Sequence, residues 1–168
     1  MFRRYKMLNL IKNFLLKRKA KTFIWIIFIL YFSYMVDILF LASFRQNTNL
    51  EEYNLKPFKT ILMYIMYYHY FTFQNWFANL FGNILAFMPL GFIIPLLFQR
   101  MKNGFKLFLL TFFISFTVEL IQLLGHIGGF DVDDITLNTI GGIFGYWMLL
   151  FMLSLFSKVR IEFWTFHE

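Results

Sequence analysis

Cysteine is absent from this chain of 168 residues, so disulfides and thiolate metal sites are excluded. Charge is scarce: Asp, Glu, Lys and Arg make up 15% of the residues, against roughly 25% in a soluble domain. Neither a G-x-S-x-G stretch nor a His-Glu zinc pair occurs, which removes two common hydrolase signatures. Acidic residues are missing from the first 21 positions, which hold eight basic ones. What fills the chain is apolar, 60% hydrophobic and 23% aromatic. The charges lie in blocks between long apolar runs, the pattern of an integral membrane protein. The net charge of +7 is concentrated in a membrane flank, so nucleic acid is not an expected partner.

These runs predict an all-α integral membrane protein, a four-transmembrane-helix bundle with an additional short interfacial helix. Residues 1–21 form a basic, amphipathic cytoplasmic tail, and residues 157–168 a second cytoplasmic tail. The membrane domain occupies residues 22–156, with spans at about 23–44, 79–98, 105–124 and 135–156, each near the twenty residues a helical crossing needs. Residues 60–73 are too short to cross and are rich in Tyr64, Tyr67, Tyr68, His69 and Tyr70, side chains that favour the headgroup layer. Pro89 removes one backbone bond within the second span. The basic loop of Arg100, Lys102 and Lys106 joins the basic N-terminal tail on the cytoplasmic side, so both termini are expected inside the cell.

The same topology collects the polar residues. Asn75, Asn79 and Asn83 start the second span at four-residue spacing, hence on one helical face. Ser115, Glu119 and Gln122 share a face of the third span. Asp131, Asp133 and Asp134 occupy the following turn, with Asp134 placed to cap the fourth helix, and Asn138 lies one turn inside that helix. Ionisable residues in membrane segments face the bundle interior or water. An outer polar pocket of Asn79, Asn83, Ser115, Glu119, Gln122, Asp131, Asp133, Asp134 and Asn138 is therefore expected. Gly141, Gly142 and Gly145 permit close helix approach within the chain or in a homo-oligomer.

The run Asn79-Leu80-Phe81-Gly82-Asn83, then Phe87-Met88-Pro89-Leu90-Gly91, resembles the VanZ-like family of small bacterial membrane proteins. Ser115, Glu119-Leu120-Ile121-Gln122, Phe130-Asp131-Val132-Asp133-Asp134, Asn138-Thr139-Ile140-Gly141-Gly142 and Gly145-Tyr146 continue the resemblance. The first loop, with Asn54-Leu55, Pro57-Phe58 and Thr60-Ile61, is similar as well. Gly128 departs from it, since many members carry an arginine three positions before the first aspartate. The resemblance implies a multi-pass protein of the bacterial plasma membrane, acting at the cell envelope and associated with resistance to teicoplanin-type glycopeptides.

Two functional classes follow. In the favoured one the pocket binds a membrane lipid or a lipid-linked cell-wall precursor, through amides that bond phosphate, sugar or peptide groups and carboxylates that accept from amines. No cofactor is expected. Asp131, Asp133 and Asp134 are candidate ligands only for Ca²⁺ or Mg²⁺, which take oxygen donors. In the alternative, an intramembrane hydrolase or transferase uses Glu119 with Asp131 or Asp134 as acid and base, and His126 as the candidate base–orienter partner. Turnover of a lipid-linked substrate separates the two.

Overall fold

The computed structural model describes residues 18–41 and 53–165, with side chains over 19–40 and 53–155. Most of the basic tail, the loop residues before Tyr53 and the side chains beyond Leu155 lie outside the described residues. Helix α1 (Arg18–Val36) runs into a π turn at Asp37–Leu41. Strand β1 (Tyr53–Asn54), helix α2 (Lys59–Met66) and a 3-10 turn at Tyr68–Tyr70 follow. Helix α3 (Phe73–Phe77) continues through a second π turn, Ala78–Gly82, into α4 (Asn83–Leu97). Helix α5 (Gly104–Leu124), strand β2 (Phe130–Asp131) and the long α6 (Val132–Thr165) complete the order.

Among the described residues, four stretches are long and apolar enough to cross a membrane: Lys19–Phe40, Phe73–Leu97, Gly104–Leu124 and Val132–Leu155. The chain is an all-α, multi-pass membrane protein. The second crossing stretch begins at Phe73, earlier than the expected residue 79, because the Thr72 hydroxyl accepts the Asn75 N–H at 3.3 Å and starts a helix there. The short aromatic helix correspondingly ends at Met66 instead of reaching residue 73. The fourth starts at Val132, before the expected residue 135, and its helix continues through Thr165.

Glycine sets the central packing. A Cβ at Gly141 would collide with the backbone of Ile84, one at Gly145 with Met88, and one at Gly91 with Gly142. Helices α4 and α6 therefore touch backbone to backbone, as small residues allow between membrane helices. The contacts advance together along both chains, so α4 and α6 run parallel, with antiparallel α5 beside them. A Cβ at Gly142 would strike Thr111 of α5. This glycine face is filled within the chain. Helix α1 lies antiparallel to α4: Trp25 packs edge-on to Phe98 at 5.7 Å, and the Tyr31 hydroxyl donates to the Ala86 carbonyl at 2.7 Å.

These contacts define two ends. Lys19 and Lys21 share one with Arg100, Lys102 and Lys106, where the Tyr146 hydroxyl donates to the Lys102 carbonyl at 2.8 Å. At the opposite end, β1 pairs in parallel with β2, Tyr53 against Phe130 and Asn54 against Asp131. The first loop thus folds over the α5–α6 turn, and two crossings lie between them. That excludes α2 as a span.

Candidate functional site at the acidic end of the bundle

Helix α5 presents a buried polar stripe of Thr111, Ser115, Glu119 and Gln122, spaced so that all four share one face. Each has a defined partner. Thr111 bonds back to the Leu107 carbonyl at 2.9 Å. The Asn138 amide of α6 donates to the Ser115 hydroxyl at 2.8 Å. Glu119 accepts the Asp131 N–H at 3.0 Å. Gln122 donates to the Leu39 carbonyl at 2.9 Å, inside the π turn that ends α1. Sequence spacing identified this face, and the structure brings Ser115, Glu119, Gln122, Asp131 and Asn138 together.

The aspartates divide their work differently from the expectation. Helix α6 begins at Val132, and its capping side chain is Asp131, whose Oδ1 accepts the Asp133 N–H at 2.8 Å. Asp134 lies inside the first turn and is not the cap. Asp133, 1% exposed, reaches across to α2 instead. Its carboxylate accepts the N–H groups of Phe58 at 2.5 Å, Thr60 at 2.7 Å and Ile61 at 3.2 Å. Pro57 and a left-handed Phe58 (φ 66°) turn those N–H groups toward one point, the concavity that favours an anion. Asp131 caps its own helix, and Asp133 caps a helix more than 70 residues away.

The first loop completes the network. Asn54 donates to Asp131 Oδ1 at 2.9 Å and to the Thr60 hydroxyl at 2.8 Å, and Thr60 donates to Asp131 Oδ2 at 2.6 Å. Asn54 and Thr60 were in the resemblance, yet nothing in their residue type marked them as partners of an aspartate so distant in sequence. Asp134 is half-buried near α2. Burial first, then the charges of Asp134 and Asp131, raises the Tyr64 phenol above its ordinary pKa.

Other expected members are placed apart. Asn79 is exposed, its side chain donating to the Asn75 carbonyl at 2.7 Å in the turn before. Asn83 is half-buried in the crossing stretch. His126 follows the end of α5, left-handed at φ 53°. There the His126 N–H meets Leu123 O at 3.1 Å and the Ile127 N–H meets Gln122 O at 3.0 Å, the two bonds of a Schellman close. Its position is accounted for by helix termination. Among the described residues no group of three His, Cys, Asp or Glu side chains is arranged to hold a metal ion. Asp133 explains part of this, since both its oxygens face backbone amides.

The arrangement can therefore hold a loop rigidly over a buried, membrane-depth polar seam between α5 and α6. No solved structure matches the chain. Protein VanZ of Enterococcus faecium is 27% identical over 121 residues, covering 67% of this chain and 66% of its own length. The chain thus spans slightly under two thirds of that relative. A profile of the VanZ/LLP1 family matches residues 21–154, from the first crossing helix to the last and across the whole acidic end. The chain belongs to the VanZ/LLP1 family.

Proposed function

We propose that this protein contributes to resistance against teicoplanin-type glycopeptides by binding an envelope lipid or lipid-linked cell-wall precursor at the acidic end of its bundle. The observation that carries the reading is the segregation of polar side chains. Glu119, Gln122, Asp133 and Asn138 are each no more than 2% exposed, and all belong to one end. Burial of such groups is unfavourable unless they are paired or used. Family membership and the VanZ relative support the envelope role. The basic end, with Lys19, Lys21, Arg100, Lys102 and Lys106, supports a cytoplasmic placement of both termini, which turns the acidic end outward.

The test is expression in a susceptible Gram-positive host, with the teicoplanin inhibitory concentration measured beside the membrane level of each variant. The parent chain is expected to raise that concentration several-fold. Glu119→Leu and Asp134→Ala are expected to insert normally and return it to the empty-vector value. Full protection by both variants, or none by the parent, would remove the proposal.

A further inference from the structure

The end of the bundle opposite the carboxylates carries Lys19, Lys21, Arg100, Lys102 and Lys106, and among the described side chains no aspartate or glutamate lies there. Two parts of the chain supply these cations, and packing holds the two together. Ile24 of α1 shares an apolar cluster with Ile93 and Leu97 of α4, and Trp25 meets Phe98 edge-on at 5.7 Å. Lys21 lies one turn before Ile24 on the same face of α1, so it falls level with the 3-10 turn Gln99–Met101 that carries Arg100.

The connection from that turn to α5 is itself fixed. The Asn103 side chain accepts the N–H groups of Phe105 at 2.9 Å and Lys106 at 3.3 Å, and the Tyr146 hydroxyl holds the Lys102 carbonyl. Lys21, Arg100 and Lys106 are exposed, whereas Lys102 is half-buried. Burial lowers the Lys102 pKa, and among the described residues no carboxylate offsets that cost. An anion beside Lys102 would favour its charged form.

We infer that this basic rim binds the headgroup phosphate of an anionic phospholipid in the leaflet at that end. Charge alone would suit an acidic protein or a nucleic acid equally well. The aromatic residues decide between them. Phe23 follows Lys21 by two positions, Phe98 precedes Arg100 by two and Phe105 adjoins Lys106, and all three rings are exposed. A soluble polyanion would cover the cations and leave those rings bare. A phospholipid brings phosphate to the ammonium and guanidinium groups and acyl chains to the rings, as basic pockets between membrane helices require. The rim lies at the far end from Glu119 and the aspartates, and its ligand is independent of what they bind.

The test gives the purified full chain, in a neutral detergent, equal amounts of phosphatidylglycerol and phosphatidylcholine and counts the retained lipid by native mass spectrometry. Phosphatidylglycerol is expected to be retained about fivefold more, with the preference falling as ammonium acetate is raised. Lys21→Gln, Arg100→Gln and Lys106→Gln together are expected to bring the preference below about twofold. Among the described residues these three side chains make no hydrogen bond or ion pair, so the melting temperature is expected to hold. Lys21→Arg with Lys106→Arg keeps the charge and is expected to keep the preference. The basic residues before α1 are tested separately: Arg3→Gln, Arg4→Gln, Lys6→Gln, Lys12→Gln and Lys17→Gln together are expected to leave at least about half of it. Equal retention of the two lipids, an undiminished preference in the triple variant, or its disappearance in the tail variant overturns the inference. Displacement of bound phosphatidylglycerol by polyglutamate at matched charge would also overturn it, making the rim a seat for an acidic protein.

Discussion

Asp133 shows how one side chain does two elements' work. Its backbone N–H is received by Asp131 at the start of α6, and its carboxylate receives three amides at the start of α2. Replacing a capping carboxylate by alanine costs about 0.5–2 kcal/mol. In Asp133→Ala the amides of Phe58, Thr60 and Ile61 are expected to lose hydrogen-exchange protection, while those of α5 and the interior of α6 keep theirs. His126 offers the opposite case. A left-handed non-glycine residue is unfavourable by roughly 1–2 kcal/mol, and glycine's extra freedom in the unfolded chain offsets part of that. His126→Gly is therefore expected to stabilise the protein by about 0.5 kcal/mol in a detergent-melting measurement. A loss of teicoplanin protection in that stabilised variant would give the imidazole a chemical role beyond its place in the turn. The acidic turn was visible in the chain as three aspartates, but their division of labour was not, because periodicity reports faces and says nothing of which distant amide a carboxylate will meet.

At the scale of elements, α4 and α6 depend on absent side chains and α2 on polar attachment. Alanine at Gly145 or Gly91 would drive a methyl group into a facing backbone carbonyl, Met88 or Gly142. Overpacking of this kind costs about 1–3 kcal/mol, and backbone yields less readily than a side chain. Gly145→Ala and Gly91→Ala are expected to lower the melting temperature and to perturb Asn138 through the shifted helix. Equal stability of both variants would mean that the two helices can separate freely. Helix α2, by contrast, contributes no buried residue, and Leu62, Ile65 and Met66 remain exposed. Its apolar side chains suit the headgroup–acyl boundary, and the Asp133 grip, rather than core packing, orients it there. The glycine face and the α5 polar stripe were legible because both obey helical spacing. The true start of the second crossing helix was not, since a Thr72 cap among aromatic residues looks like a loop until the Asn75 amide is seen to meet it.

Across the whole molecule the two ends differ in charge. Lys19, Lys21 and the Arg100–Lys106 loop mark one, and Glu119 with three aspartates marks the other, where Lys56 and Lys59 are also found. The absence of cysteine makes orientation directly measurable. In intact cells, Leu55→Cys is expected to react with an impermeant maleimide and Lys106→Cys only after lysis; the reverse pattern would invert the molecule. Four crossings were readable from hydropathy alone, because apolar length is a local property. The joining of the first loop to the α5–α6 turn is not local, and it is the β1–β2 register and the bonds of Asp131 and Asp133 to that loop that expose it.

That register has a consequence for biogenesis. Tyr53 cannot pair until Phe130 has been synthesised and brought to the same side, which requires two intervening helices to have been threaded through the bilayer first. Contacts so far apart along a chain form late. The acidic end is accordingly the last part of the protein to close, and a nascent chain halted within α5 would leave the first loop unfastened and three backbone amides waiting for their carboxylate.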